Sequence, residues 1–275
     1  MPLRLRRSLR RLFRTRTQAG SYHVVADIPG PTPEETRSVV VYLPGNYDEE
    51  VRRYPVIYMQ DGQNLFDDGT SYSGSWGLSE ELVSASRLGA DAIIVGVYHA
   101  SQHRINEYSP FVDERVGGGE AAAYITWLCD VLRPVINERY RTLPAREHTG
   151  VAGSSMGGLF SLFAIFERSD VFGFAAVMSP SLWFAHGAIF DWVRSRPFAD
   201  VRIYLDVGAR EGAKTLLNAQ HMRDLLMSRG YERGERLRWV QDAIGVHHES
   251  AWGRRFRKAL PALLAVKRPA SERRN

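Results

Sequence analysis

Two kinds of apolar pattern alternate along the chain. Short runs rich in β-branched and aromatic residues read as strands, and longer stretches with apolar positions every three or four residues read as helices. The strand-like runs are "SYHVVADI" and "RSVVVYLP", parted by the turn-rich "PGPTPEET", then "PVIYMQ", "DAIIVGVY", "TGVAGS", "GFAAVMS", "VRIYLDVG" and "RLRWVQDA". Several are almost continuously apolar, as a strand covered on both faces must be. Helical patterns fill the intervals: Ser79 to Leu88, "EAAAYITWLCDVLRPVINERY" with Pro134 as a kink point, Met156 to Arg168, "AKTLLNAQHMRDLLMSR" and "ESAWGRRFRKALPALLAV". Strands interleaved with helices after the second predict an α/β protein with a mostly parallel eight-stranded sheet and helices on both faces. Ligands of such sheets bind beyond the carboxyl ends of the strands. No repeat or low-complexity linker interrupts residues 21–266, so they read as one domain flanked by basic tails, 1–20 and 267–275.

Composition sharpens this picture at the ends. The chain has 275 residues, 44% hydrophobic and 24% charged, enough for an ordinary core. Its net charge of +5 suggests nucleic acid only until the charges are located. Residues 1–20 hold seven arginines and no acid, and "KRPASERRN" adds four basic residues against Glu272, leaving a body with 25 basic and 30 acidic residues. A body of that balance offers no phosphate-tracking surface, so nucleic acid is not an expected partner. Leu5, Leu9, Leu12 and Phe13 fall at helical spacing among the arginines. Residues 1–20 therefore read either as a basic amphipathic helix making weak contact with a membrane surface or as a solvated tail. The N-terminal segment lacks the long apolar stretch of a secretory signal and no run is long enough to span a bilayer, so a cytoplasmic location is the expectation. The single cysteine, Cys129, excludes a disulfide within the chain and reads as a buried thiol.

The chemistry concentrates in "HTGVAGSSMGGLFSLFAIF", His148 to Phe166. Gly153, Ser155 and Gly157 fit G-x-S-x-G between an apolar strand and an apolar helix, the context in which that pattern marks a nucleophile. A serine on so sharp a turn would collide with side chains two residues before and after it, and glycine removes them. Ser155 is then the exposed hydroxyl, Ser154 a small inward-packing residue, and the N–H of Met156 points toward a developing oxyanion. The alternative is a glycine-rich turn whose serines cap the helix. A serine nucleophile needs a base and a group to orient it. "YLDVGAREGAK" reaches Glu211 just after the seventh strand, and "QDAIGVHHESAW" reaches His247 and His248 after the eighth.

"PVIYMQDGQNLF", "RINEYSP", "VAGSSMGGL", "MSPSLWF", "YLDVGAREG" and "HHESAW", in that order, resemble the esterase D-like family of α/β-hydrolases. That family includes S-formylglutathione hydrolases, feruloyl and acetyl esterases, enterobactin esterases and mycolyltransferase antigens. The likeness runs from about Tyr22 to Leu264. It implies His247 as the catalytic histidine, with His248 where the family commonly has asparagine, a departure that leaves open whether His248 can substitute. It implies Glu211 as the acid, with Asp206 as the alternative, and the N–H of Gln63 as the second oxyanion donor.

Trp76, Arg104, Tyr108, Trp183 and Trp252 fall in loops or at helix starts near the predicted carboxyl ends, where substrate walls are built. Each also has a plain reading as core, and Arg104 could pair with Glu107 instead of an anionic substrate. No metal-ligand spacing and no dinucleotide fingerprint occur, so neither metal nor cofactor is expected. The expectation is a serine carboxylic-ester hydrolase working through an acyl-enzyme with Ser155, His247 and Glu211. Little sequence separates strands from helices, so no large cap domain is expected and the site should be shallow or open. Short-chain acyl esters, or bulky esters held partly outside, are the small-molecule substrates this favours. The alternatives are acyl transfer to an alcohol by the same residues, and a catalytically silent scaffold used for binding.

Overall fold

All eight expected runs form strands, and the reason their sequences are so apolar is visible in the two cores they separate. The computed structural model describes residues 11–17 (backbone only), 20–71 and 74–264. Apart from a two-residue hairpin pairing Val112–Asp113 with Gly117–Gly118, the described strands are β1 (Arg11–Thr17), β2 (Gly20–Pro29), β3 (Thr36–Pro44), β4 (Val56–Met59), β5 (Ile93–Val97), β6 (Thr149–Ser154), β7 (Phe174–Met178), β8 (Arg202–Gly208) and β9 (Leu237–Asp242). They form one sheet in the order β1-β2-β3-β5-β4-β6-β7-β8-β9. The six strands from β5 to β9 in that order run parallel, while β1, β2 and β3 are antiparallel to their neighbours.

Alternate side chains of the central strands enter opposite cores. Val56, Tyr58, Val151, Ala175 and Val177 join one cluster, and Ile57, Met59, Ala152, Ala176 and Met178 the other. The first cluster is covered by α2 (Arg104–Tyr108), α3 (Ala121–Trp127), α4 (Arg133–Arg139), α5 (Met156–Glu167), α6 (Ala188–Ser195) and α7 (Ala213–Ser228). The second is covered by α1 (Leu78–Ser86) and α8 (Glu249–Leu263). Helix α5 is buried over nearly its whole length, which explains why it is apolar all round rather than amphipathic.

One local feature departs from the expectation, and a second adds detail to it. Residues 11–17 are not a tail: they form the edge strand β1, paired antiparallel with β2. The Thr and Phe content of "RLFRTRT" suits a strand. The helical spacing of Leu12 and Phe13 is thus overruled, while Leu5, Leu9 and residues 267–275 lie outside the described residues. Pro134 does not break its helix. A π-helical turn, Leu128–Leu132, joins α3 to α4, and Pro134 sits in the first turn of α4. Widening the turn accommodates a ring that can donate no hydrogen bond to the preceding turn. Cys129 lies buried in that turn, where burial pushes its thiol pKa up to about 12. Among the described residues, no helix is long and apolar enough to cross a membrane.

Helix α8 packs closely on the segment that leads into α1 because Gly253 lets its backbone rest on the carbonyl oxygen of Trp76, which a Cβ would strike. Alanine is the better helix former by about 1 kcal/mol. Overpacking against backbone costs about 1–3 kcal/mol, and this clash is with atoms that cannot rotate away. The net expectation for Gly253→Ala is a loss of up to about 2 kcal/mol of stability, read as a lower urea midpoint.

Candidate active site

Strand β6 hands over to α5 at Ser155, whose backbone lies at φ 56° and ψ −119°. That conformation is strained for a residue with a side chain. It is held by the Ser155 N–H donating to Met178 O on β7 at 3.1 Å and by Ser155 O accepting from the Ser181 N–H at 2.9 Å. The flanking glycines are steric necessities. A Cβ on Gly153 would lie 2.6 Å from the carbonyl group of Gly157, and one on Gly157 would lie 2.9 Å from the Cβ of Gln60. Ser154 is buried, and it also forms part of the cleft wall.

The loop after β9 brings His247 over this turn. Its Nε2 lies 3.1 Å from Ser155 Oγ and its Nδ1 lies 2.8 Å from Glu211 Oε2. An ionised carboxylate only accepts, so the proton belongs on Nδ1 and Nε2 presents its lone pair to the serine hydroxyl. The edge of the Trp252 ring meets the imidazole, with centroids 4.8 Å apart at 86°. Ser155 Oγ has a second neighbour, Ser181 Oγ, at 3.2 Å. His248 is used differently. Its Nδ1 accepts from the Ser250 N–H and caps α8, so the two adjacent imidazoles do not share a position.

Glu211 is completely buried at its side chain, whereas His247 is 43% exposed. Burial alone would raise the carboxyl's pKa, but the bonds from His247, Ser179 Oγ (2.6 Å), Arg255 (3.2 Å) and the Gly208 N–H (2.8 Å) together hold it below the usual glutamate value. Ser179, at φ 40°, also accepts from Trp252 Nε1 and from Arg255 Nη2. The buried Arg255 guanidinium thus stands between Glu211 and Asp206, whose Oδ2 lies 3.3 Å from Arg255 Nε. Asp206 does not reach His247 through any bond in the structure; it supports Arg255 and accepts from the Ser179 N–H. Sequence reasoning missed Ser179, Ser181 and Arg255. The serines of "MSPSLWF" carried no periodic or spacing signal for this role.

The turn after β4 faces the same point from the other side. Asp61 is left-handed at φ 56°, and Gly62–Asn64 form one 3-10 turn whose own bonds come from the Asn64 and Leu65 N–H groups. The N–H of Gln63 is therefore not consumed by that turn. Nor has Met156, at the start of α5, an intrahelical acceptor for its N–H. Asp61 and Asn64, rather than Gln63, line the cleft. Arg104 grips Asp61 with two bonds, Nε to Oδ1 at 2.6 Å and Nη2 to Oδ2 at 2.8 Å. It does not pair with Glu107, which instead binds Arg37 on β3.

The cleft, about 380 Å³, also takes in Trp76, His99, His248, Glu249 and Trp252. Of the five wall residues expected, Trp76, Arg104 and Trp252 line it, with Trp76 and Trp252 packed 6.0 Å apart. Tyr108 does not. It is fully buried, its hydroxyl accepting from the Asp61 N–H at 3.0 Å. Trp183 is half-exposed outside the cleft, on the loop that leaves Ser181. Among the described residues, no group of three or more His, Cys, Asp or Glu side chains is gathered as a metal ion would need.

Desolvation in the sheet raises the pKa of Asp206 to about 7 from its ordinary 3.8, despite the Arg255 charge beside it. A carboxyl with a raised folded-state value favours the folded protein when protonated. Its contribution is present at acid pH and is lost as pH rises from about 4 to 7. Wild type minus Asp206→Asn stability, from urea unfolding at pH 5 and pH 8, is expected to be smaller at pH 8; an unchanged difference contradicts the assignment.

Residues 30–263 match the family model described as Putative esterase. YbbA of Bacillus subtilis is 24% identical over 84% of this chain and 94% of its own length. A siderophore triacetylfusarinine C esterase of Aspergillus fumigatus is 30% identical over 138 residues, 47% of this chain and 44% of that protein. Among solved structures, the ferric enterobactin esterase of Salmonella typhimurium superposes with a TM-score of 0.71 at 19% identity, over 89% of this chain and 58% of that one. An IroE-like serine hydrolase of Shewanella oneidensis gives 0.69 at 19% identity, over 88% and 79%. With the parallel sheet, its strand-to-helix turn at Ser155 and a family match over most of its length, the chain belongs to the Putative esterase family and is a carboxylic ester hydrolase of α/β-hydrolase fold.

Proposed function

We propose that the chain hydrolyses esters through an acyl-enzyme on Ser155, with His247 as base and acid and Glu211 as the group that orients it. The observation that carries the reading is the relay of contacts, 3.1 Å from Ser155 Oγ to His247 Nε2 and 2.8 Å from His247 Nδ1 to Glu211. In this mechanism Ser155 Oγ attacks the ester carbonyl while its proton passes to His247 Nε2. The carbonyl oxygen becomes an oxyanion held by the N–H groups of Met156 and Gln63, each contributing about 3 kcal/mol to the transition state. His247 then returns the proton to the leaving alcohol, and the acyl group stays on Ser155. Water, deprotonated by the same imidazole, attacks the acyl carbonyl; the bond from that carbon to Ser155 Oγ then breaks, His247 returns the proton to Oγ, and the acid leaves. The buried Glu211 stabilises the imidazolium formed in both halves.

Substrate reach follows from the cleft. It is open, with no cap domain over it among the described residues, and its wall mixes the aromatic Trp76 and Trp252 with polar Asn64, Arg104 and His99. Short-chain acyl esters, or bulky esters with much of the molecule outside, fit such a wall better than long lipids in a tunnel. The siderophore esterases among the similar proteins support the bulky case.

Ser155→Ala is expected to abolish p-nitrophenyl acetate hydrolysis and fluorophosphonate labelling without unfolding the chain; retained turnover refutes the nucleophile. Glu211→Gln should slow kcat by about 10²- to 10⁴-fold, since the amide cannot support the imidazolium as the carboxylate does. His248→Ala should lose about 1 kcal/mol of stability with its helix cap yet stay measurably active, whereas His247→Ala should not.

A further inference from the structure

We propose that Arg104 is a positioning residue for the reaction: it cancels the charge of Asp61 beside the oxyanion site and locks the turn that carries the second oxyanion donor. The inference rests on the serine-hydrolase reading above and adds a group that touches neither Ser155 nor His247.

Three observations converge on it. Asp61 Oδ2 lies 3.7 Å from the Cβ position of Gly157, so a carboxylate stands against the first turn of α5, the helix whose N-terminal N–H groups face the developing negative charge. Left unpaired, that carboxylate would oppose the oxyanion in a partly water-excluded site, where charges interact more strongly than in water. Its residue is only 7% exposed, so solvent does little to screen it. Second, Arg104 meets both carboxylate oxygens in a bidentate pair, the geometry that fixes position as well as charge. Burial works against the guanidinium charge, yet the bonds to Asp61 outweigh it and hold its pKa above the ordinary value. Third, α2 is built as a brace. Arg104 and Tyr108, one helical turn apart, hold the Asp61 side chain and N–H respectively. Glu107, between them, anchors α2 to β3 through Arg37. Arg104 is also stacked over the Tyr108 ring, 4.9 Å from its centroid. The left-handed Asp61, and hence the path of Gly62 and Gln63, is thereby fixed from outside its own turn.

A guanidinium that only bound substrate would act on KM. One that neutralises Asp61 acts on kcat, and its loss is repaired by removing the Asp61 charge. The test compares wild type, Arg104→Gln, Asp61→Asn and the double variant, with p-nitrophenyl acetate kinetics, the second-order rate of fluorophosphonate labelling, and thermal unfolding to check folding. Arg104→Gln is expected to lower kcat and the labelling rate at least tenfold with KM changed less than threefold. The double variant should be at least threefold faster than Arg104→Gln, and Asp61→Asn should lose less than Arg104→Gln does. A smaller loss in Arg104→Gln, a loss confined to KM, or a double variant no faster than Arg104→Gln overturns the proposal. If Arg104→Gln does not fold, Asp61→Asn decides it: a tenfold or greater fall in kcat there overturns charge cancellation, and a smaller one supports it. A wild-type chain that is neither labelled nor active refutes the serine-hydrolase reading instead, so the two failures are distinct.

Discussion

The site depends on one backbone conformation, Ser155 at φ 56° and ψ −119°, which an ordinary turn would not hold. Its strain is tolerated because the surroundings over-determine it: β6 and β7 lie in parallel register, Ser155 bonds to Met178 and Ser181, and α5 is buried in the core of one face. The sharp turn from β6 into α5 leaves no room for a Cβ at Gly153 against the Gly157 backbone, and the approach of α5 to Gln60 beyond β4 leaves none at Gly157. The hydroxyl is thus presented by a rigid scaffold, and the groups that complete the site come to it on the loops after β4, β7, β8 and β9.

Two buried carboxylates near the serine are each gripped by an arginine, with opposite purposes in the proposed mechanism. Glu211 must keep its charge to support His247, and Arg255, Ser179 and the Gly208 N–H favour the ionised form. Asp61 must not project its charge, and Arg104 answers it directly. Asp206, the third carboxylate, balances Arg255 from inside the sheet. A guanidinium suits both places because it is always charged and offers several donors in one plane, meeting both oxygens of Asp61 in one case and Glu211 Oε1 with Ser179 Oγ in the other.

How much of this was legible in the sequence divides along contact range. Strands β3 to β8 announced themselves because both faces are covered and apolar continuity is a local signal, whereas β2 and β9, partly exposed, were legible from their β-branched and aromatic residues. The elbow was legible for the same reason: Gly153, Ser155 and Gly157 lie within five residues and the steric need is local. β1 was missed because its arginines sit among leucines at helical spacing, and pairing with β2 overrode that pattern. Of the five wall residues expected, the cleft takes in three, Arg104 among them. Trp76 and Trp252 line the cleft, but Tyr108 turned inward to hold the Asp61 N–H and Trp183 turned away. Arg104 with Asp61, and Arg255 with Ser179, join positions 43 and 76 residues apart. No periodicity or spacing reports a pairing of that kind, so only the fold could reveal it.

The most direct measurement of the central claim is a crystal structure of the chain after reaction with a small fluorophosphonate, whose adduct mimics the tetrahedral intermediate. The account predicts phosphorus bonded to Ser155 Oγ, with the phosphoryl oxygen about 3 Å from the Met156 N–H. It also predicts that the His247 ring remains seated between Ser155 and Glu211. An adduct on any other residue, or one on Ser155 whose phosphoryl oxygen points to solvent away from the start of α5, would contradict it.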